Sequence, residues 1–333
     1  MKVAVFDTHR YDREAFDGAN ARRARAHALT YLEPRLVAET AVLAAGAPVV
    51  CSFVNDHVDA AALRALAAGG VGLVALRSAG FNHVDLHAAT ALGIRVVRVP
   101  DYSPYAVAEH AVALMLALNR KLVRAAIRVH DLNFSLEGLV GFDMHGKVAG
   151  LVGVGRIGAV AARILRGFGC HVLAYDVAPD LELARELGVE HVPLDALLGR
   201  ADIVSLHVPL VPATRHLLDA GAFARMKRGA MLINTGRGAL IDTAALINAL
   251  KTGQVGAAGL DVYEEEDGIF FQDLSDKVLE DDVLARLLTF PNVLVTAHQG
   301  FLTHEALANI AETTLASIDA YEAGAPLAHE IGV

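Results

Sequence analysis

Short runs of apolar residues alternate with longer segments of mixed polarity along most of the chain. In the first hundred residues, four apolar runs predict strands: Val3–Phe6, Val49–Phe53, Leu73–Leu76 and Val96–Val99. A second series predicts six more: Val148–Val152, Val172–Tyr175, Ile203–Leu206, Met231–Ile233, Ala258–Asp261 and Val293–Thr296. Helical periodicity occupies the intervals between these runs. Strands that alternate with helices pair in parallel and are covered on both faces, so the pattern predicts an α/β protein with two doubly wound units.

The two series are separated by the segment 99–110, which Pro100 and Pro104 interrupt. A long apolar helix is predicted to follow and to run towards Asp131. Another helix, from about Thr303 to Ala323, comes after the last predicted strand. Its place in the sequence leaves open which unit it covers.

Composition narrows the class of protein. The chain has 333 residues, 54% of them hydrophobic, which is enough for two buried cores. A formal net charge of −9 argues against nucleic-acid binding. Cys51 and Cys170 lie in apolar runs and are expected to be reduced core residues. No secretory signal or bilayer-length apolar segment is visible, and no histidine pattern indicates a metal site, so we expect a cytoplasmic protein without metal or membrane partners.

A glycine-rich turn follows the predicted strand Val148–Val152. Gly153, Gly155 and Gly158 are spaced as G-x-G-x-x-G, a helix follows, and Asp176 comes after the next strand. Alone, such glycines could serve only a tight turn. In this strand–turn–helix–strand context they predict a dinucleotide site, with pyrophosphate at the helix N-terminus and ribose hydroxyls on the acidic residue. The carboxylate would repel a 2′-phosphate, which favours NAD over NADP.

Three other predicted strands end in polar groups. Arg237 follows one of them between two glycines, Asp261 and the run 264–266 (Glu-Glu-Glu) follow the next, and His298 follows the last. Ligands of parallel sheets bind beyond the carboxyl ends of the strands. An arginine there can grip a carboxylate with two parallel hydrogen bonds, although a structural ion pair is the alternative. With a histidine to move a proton and a carboxylate to orient it, the set predicts acid–base catalysis on an anionic substrate.

Taken together, these motifs resemble the D-isomer-specific 2-hydroxyacid dehydrogenase family, and within it the fermentative D-lactate dehydrogenases most closely. The similarity covers nearly the whole chain. The ordered segments that carry it are "LRSAGFNHVDL", "VPDYSPYAVAEHAVALMLALNRK", "NFSLEGLVGFDMHGKVAGLVGVGRIG", "NTGRGALID", "GLDVYEEE" and "TAHQGFLTHEAL".

The resemblance implies two Rossmann-like domains with parallel sheets, one of them discontinuous. The substrate domain would comprise residues 1–101 and 299–333, and the NAD-binding domain would comprise residues 102–298. It also implies a small-molecule substrate and a homodimer or homotetramer. Asp101 stands where alanine is frequent in the family, and we expect it to face solvent rather than an anionic substrate.

Residue by residue, the resemblance implies a catalytic set of Arg237, Glu266 and His298, with Glu266 rather than Glu264 or Glu265 beside the histidine. Besides Arg237, it places Ala79, Gly80 and Tyr102 at the substrate. Beyond Gly153, Gly155, Gly158 and Asp176, the implied cofactor-lining residues are Arg156, Ile157, Val208, Pro209, Thr214, Thr235, Gly236 and Asp261.

The implied activity is reversible, NADH-dependent reduction of pyruvate to D-lactate, with His298 as acid and base. Two alternatives remain open from the residues alone. One is a dehydrogenase for a bulkier 2-keto acid, which differs only in the shape of the substrate pocket. The other is an NAD-sensing binding protein, since a fold does not determine a function.

Overall fold

The structure is a computed structural model that describes residues 1–333 and divides into two compact units. Unit 1 comprises Met1–Ser103 and Leu302–Val333, and unit 2 comprises Pro104–Phe301. The domain boundaries expected from the sequence were 101/102 and 298/299. The assignment of the first unit to substrate binding and of the second to NAD binding stays a prediction from the sequence at this point.

The helices and strands follow one another along the chain in three stretches. The first contains β1 (Lys2–Val5), α1 (Arg10–Ala21), β2 (Ala28–Tyr31), β3 (Val49–Ser52), α2 (Ala60–Ala68), β4 (Leu73–Leu76), α3 (Leu86–Ala91) and β5 (Arg95–Val97). The second contains α4 (Pro104–Asn119), α5 (Leu122–His130), β6 (Val148–Val152), α6 (Arg156–Gly167), β7 (His171–Tyr175), α7 (Leu181–Leu187), β8 (Val189–His191), α8 (Leu194–Arg200), β9 (Ile203–Leu206), α9 (Ala220–Arg225), β10 (Ala230–Asn234), α10 (Thr243–Thr252), β11 (Val255–Leu260), α11 (Asp282–Leu288) and β12 (Val293–Val295). The third contains α12 (His304–Glu322) and β13 (Glu330–Ile331).

Unit 1 is built around a sheet in the order β13-β5-β4-β3-β1-β2. Its strands are parallel except for β13, which pairs antiparallel with β5. The helix α12 packs on α1, and Asp319 of α12 pairs with Arg23 and His27. The C-terminal helix therefore belongs to unit 1, which the sequence pattern alone had left open.

Unit 2 contains a fully parallel sheet in the order β12-β11-β10-β9-β6-β7-β8. The chain first builds β6, β7 and β8 outward and then returns to build β9 to β12 on the other side of β6. The direction of strand order reverses between β6 and β9, which is where open parallel sheets bind dinucleotides.

Both faces of this sheet are buried. In β10, Ala230 and Leu232 face one apolar cluster, which includes Phe223 and Leu246, whereas Met231 and Ile233 face the other. This two-sided burial explains why the central strands appear in the sequence as unbroken apolar runs.

Several elements differ from the sequence-based predictions. The helix expected to run towards Asp131 is broken, because Lys121 takes a left-handed conformation (φ 50°) between α4 and α5. The strands β2, β8 and β13 were not predicted. They lie at sheet edges or outer positions and carry exposed polar residues, so their sequences lack the apolar runs of central strands.

No helix in the described chain combines the length and the apolar character needed to span a membrane.

Candidate active site

The carboxyl ends of the unit 2 strands place the predicted groups in a row. His298, Asp261 and Arg237 follow the neighbouring strands β12, β11 and β10, whereas Gly153 and Asp176 follow β6 and β7. Groups suited to acid–base chemistry therefore lie towards one side of the sheet, and the groups of the dinucleotide fingerprint lie towards the other.

The glycine turn after β6 is tightly constrained. Gly153 has a φ of 93°, and a Cβ there would lie 2.6 Å from the carbonyl oxygen of His207. A Cβ on Gly158 would lie 2.2 Å from the carbonyl oxygen of Gly153. By contrast, a Cβ on Gly155, the residue that caps α6, would meet nothing within 4 Å. Open space thus borders the N-terminus of α6, where the backbone N–H groups attract an anion.

Asp176 lies on the wall of a cleft of about 610 Å³ that Gly155 and Arg156 also line. Its carboxylate accepts hydrogen bonds from the backbone N–H groups of Val154 (2.9 Å) and Ala178 (3.0 Å). These bonds fix the carboxylate beside the glycine turn, and each oxygen keeps a lone pair for a ribose hydroxyl.

The remaining cofactor candidates fall into two groups. Thr235 is buried and its hydroxyl has no partner in the protein, and a Cβ on the adjacent Gly236 would lie 3.6 Å from the carbonyl oxygen of Val208. An orphaned buried hydroxyl of this kind fits a ligand that supplies the missing hydrogen bond. Thr214, in contrast, donates its hydroxyl to Pro209 within its own loop, and Ile157 packs into the core, so any part these two play is indirect or through the backbone.

Arg237 is positioned by its immediate neighbours. Asn234 donates to the carbonyl oxygen of Arg237 (2.9 Å), and Nη1 of Arg237 donates to the carbonyl oxygen of Gly236 (2.7 Å). A Cβ on Gly238 would lie 2.0 Å from the carbonyl carbon of Tyr263, so only glycine lets the loop after β11 approach this closely. The half-buried guanidinium keeps most of its donors for a ligand, which favours substrate binding over the ion-pair alternative.

His298 and Glu266 form a close pair. Nδ1 of His298 lies 2.7 Å from Oε1 of Glu266, and the two side chains are 13% and 17% exposed. Oε2 of Glu266 accepts the backbone N–H of Tyr263, which holds the carboxylate in place (3.1 Å). Because Nδ1 donates to the carboxylate, Nε2 is the ring nitrogen left to exchange a proton with a ligand.

The other two glutamates of the acidic run lie elsewhere. Oε1 of Glu264 is 2.6 Å from Nε2 of His216 and 3.2 Å from Nη2 of Arg215, and Glu265 is exposed. Only Glu266 of the three contacts His298 in the structure, as the family resemblance implied.

Asp261 is buried and receives four hydrogen-bond donors. The hydroxyl of Thr296 (2.7 Å) and the backbone N–H groups of Gln299 (2.9 Å) and Gly300 (2.8 Å) donate to its carboxylate, and Nε2 of His110 lies 3.1 Å from it. Burial by itself raises the pKa of Asp261, but the hydrogen bonds from His110 and Thr296 outweigh it and lower that pKa below its ordinary value. Sequence reasoning missed His110, for which the only signal was a lone histidine in a mostly apolar helix.

Comparison with known proteins decides the family. A family model described as D-isomer specific 2-hydroxyacid dehydrogenase, NAD binding domain, matches residues 112–300. The chain is 49% identical to the D-lactate dehydrogenase of Escherichia coli over 331 residues, which cover 99% of this chain and 100% of that protein. The chain belongs to the D-isomer-specific 2-hydroxyacid dehydrogenase family.

Solved structures agree with this 2-hydroxyacid dehydrogenase assignment. The apo-structure of the Escherichia coli D-lactate dehydrogenase superposes with a TM-score of 0.91 at 47% identity and covers 99% of this chain and 100% of that one. A structure described as the pyruvate reductase of Chlamydomonas reinhardtii gives a TM-score of 0.92 at 48% identity, with 98% of each chain covered. The predicted family and fold are therefore confirmed, and so is the cofactor, which is NAD.

In this dehydrogenase, three predicted substrate-binding residues belong to unit 1. Ala79 and Gly80 follow β4, and their carbonyl oxygens accept hydrogen bonds from Arg98 (2.9 Å) and from the hydroxyl of Ser78 (2.7 Å). The carbonyl oxygen of Tyr102 accepts a hydrogen bond from Asn309 (2.7 Å). These contacts fix the local backbone, and the roles of the three residues towards substrate stay predictions.

Asp101, expected to face solvent, is exposed in the structure.

Proposed function

We propose that this 2-hydroxyacid dehydrogenase reversibly reduces pyruvate to D-lactate with NADH in the cytoplasm. The observation that carries the proposal is the 2.7 Å contact between His298 and Glu266, with Arg237 on a neighbouring strand end of the same sheet. Relatives named D-lactate dehydrogenase, at 49% and 48% identity over nearly their whole length, support the choice of substrate.

Arg237 anchors the substrate in this proposal. A planar guanidinium can donate two parallel hydrogen bonds to the carboxylate of a 2-keto acid and so orient the adjacent keto group. The flanking glycines keep side chains away from this point of approach.

His298 supplies the proton. Bound NADH supplies the hydride that adds to the keto carbon. As negative charge develops on the keto oxygen, Nε2–H of the protonated histidine donates to it, and a hydroxyl forms. The carboxylate of Glu266 stabilises the imidazolium beforehand, and in the oxidation of D-lactate the neutral ring takes the proton back.

The test is a panel of 2-keto acids with NADH as the reductant, followed by oxidation of each lactate enantiomer with NAD. We expect the highest kcat/KM with pyruvate and oxidation of D-lactate only. A higher value with a branched or aromatic keto acid would replace pyruvate by that substrate. No turnover with any keto acid would favour the NAD-sensing binding protein.

We also infer that the chain forms a homodimer through the arm, defined as residues 131–142, together with α5. Hydrogen bonds join the arm to the neighbouring helices: Lys121 and Arg128 donate to its carbonyl oxygens, and Asn119 bonds both backbone groups of Phe142. Its large apolar side chains are nevertheless exposed: Leu132 (78%), Phe134 (69%), Leu136 (80%) and Val140 (84%). Apolar patches of this kind mark association surfaces.

A second copy of the chain is the occupant that fits this surface. Beside the arm lies a groove of about 570 Å³ with an apolar floor that includes Leu118, Ile127 and Phe290. Lys121 and Arg124 line the groove, whereas the arm carries Asp131 and Glu137. The same surface thus carries an apolar arm with acidic residues and a groove lined by basic residues. A two-fold dimer requires this kind of self-complementary surface, because each copy then places its arm against the groove of the other.

A further inference from the structure

We infer that His110 is a positioning residue for the reaction. In this inference it acts through Asp261 and Thr296 to fix the loop 296–300, which carries His298. The inference rests on the proposed acid–base role of His298. His110 itself comes from α4, far along the chain from the strand ends that supply the other groups of the site.

The atoms assign the direction of each hydrogen bond. Nε2 of His110 lies 3.1 Å from Oδ1 of Asp261 and 3.0 Å from Oγ1 of Thr296. The hydroxyl of Thr296 donates its proton to Asp261 at 2.7 Å, so its oxygen is left to accept from the histidine. Nε2 must therefore carry a proton that it shares between the carboxylate and the hydroxyl oxygen.

The same carboxylate closes the loop. It accepts the backbone N–H groups of Gln299 and Gly300, and the carbonyl oxygen of Asp261 accepts the N–H of His298. A Cβ on Gly300 would lie 2.8 Å from Oδ2 of Asp261, so the loop approaches the carboxylate as closely as glycine allows. The hydrogen bonds to Asp261 thus hold the loop 296–300 in place, and we call this set of bonds the clamp. His110 is the one donor of the clamp that lies outside the loop.

The loop needs such a clamp because its backbone is unfavourable. Ala297 and His298 both have positive φ angles, 43° and 59°, without being glycine. Left-handed residues other than glycine persist only where the surrounding contacts over-determine them. Releasing the clamp would let this pair relax and would move the imidazole of His298 relative to Glu266.

Three substitutions separate positioning from mere packing. His110→Gln keeps an N–H close to the place of Nε2, His110→Asn is polar but too short to reach, and His110→Phe fills the space without a donor. We expect Gln to keep most of the activity and Asn and Phe each to lower kcat about tenfold or more, because a hydrogen bond to a charged group is lost. NADH binding, measured by fluorescence without substrate, should change much less than kcat.

Hydrogen–deuterium exchange of the protein without substrate supplies a readout that does not depend on turnover. The peptide that covers residues 296–300 should exchange faster in His110→Phe than in wild type, and His110→Gln should restore the slow exchange. Glu109→Gln, an exposed neighbour on α4, is the matched control and should change neither exchange nor kcat.

A double substitution tests the route of the effect. Thr296→Val should also lower kcat, and its combination with His110→Phe should lower kcat by less than the product of the two single effects. A wild-type kcat in His110→Phe, or equal losses in the Gln, Asn and Phe variants, would overturn the inference. If the wild type reduces no 2-keto acid, the proposed function fails, whereas unchanged exchange in His110→Phe refutes the clamp by itself.

Discussion

Arg237 and His298 both follow strands of the unit 2 sheet, but they are held in different ways. The backbone of Arg237 is fixed by Asn234, and its guanidinium is only half-buried. His298 is held at its ring by Glu266 and at its strained backbone by Asp261. The guanidinium can therefore adapt to a bound carboxylate, whereas the imidazole ring is held in one orientation before substrate binds.

Replacing Arg237 by lysine should weaken substrate binding selectively. Arg237→Lys keeps the charge but loses the planar pair of donors, each worth roughly 1.5–3 kcal/mol, so KM for pyruvate should rise about tenfold or more. Steady-state kinetics and NADH fluorescence titration give the two affinities. Arg228→Lys, on a surface arginine that donates to Thr252, is the control. Equal losses of NADH and pyruvate affinity would show that Arg237 is structural.

Replacing Glu266 by glutamine should lower kcat in both directions. Glutamine can still bond Nδ1 of His298, which lies 2.7 Å from Oε1 of Glu266, but it lacks the negative charge that stabilises the imidazolium in each turnover. We expect kcat to fall about tenfold or more, because a hydrogen bond between charged groups is lost. Steady-state kinetics in both directions measure this, with exposed Glu265→Gln as the control. A loss in the control alone would contradict the assignment.

At the level of elements, the central strands and the dinucleotide turn could be predicted from sequence. Their signals are local: apolar runs for two-sided burial, and glycines where a side chain would collide. The edge strand β8 and the break at Lys121 could not, because tertiary contacts decide them. The same holds for His110, whose partners lie more than 150 residues away in the sequence. The reactive residues at the strand ends can be predicted from the sequence, whereas the tertiary contacts that position them cannot.

The β6–α6–β7 unit carries a prediction about cofactor choice. Asp176→Ala should narrow the preference for NADH over NADPH, because it removes both the ribose hydrogen-bond acceptor and the repulsion of a 2′-phosphate. The ratio of kcat/KM for the two cofactors measures the preference. Asp180 lines the same cleft but caps α7 through two backbone N–H groups, so Asp180→Ala is the control and should leave the ratio unchanged. Equal use of both cofactors by wild type would refute the role of Asp176.

At the scale of the whole molecule, His207 should make stability depend on pH. Burial lowers its pKa to about 4 in the folded protein, whereas an unfolded chain titrates near the ordinary value of about 6.5. Between these values the unfolded state binds more protons, so stability falls as pH falls, by up to about 3 kcal/mol. When the pH is lowered from about 7 to about 5, the thermal unfolding temperature of His207→Gln should fall by less than that of wild type. Exposed His87→Gln, on α3, should behave as wild type, and an identical loss in all three proteins would exclude His207 as the cause.

Assembly gives a second prediction at this scale. Phe134→Asp places a charge on the exposed arm and should convert a dimer to a monomer in analytical ultracentrifugation, because a charge buried at an apolar contact is costly. Val177→Asp, on an equally exposed apolar residue outside the arm, should stay dimeric. A monomeric wild type would reject the interface.

Unit 1 is assembled from two separate stretches of the chain, and this has a consequence for synthesis on the ribosome. The face of α1 that α12 covers stays open while the 198 residues from 104 to 301 are translated. At 5–20 residues per second this interval lasts about 10–40 s. Unit 2 is continuous and can close by itself once residue 301 has emerged, so at that point the nascent protein is a finished domain tethered to a half-built one. A helix face that stays uncovered for so long is a natural target for chaperones.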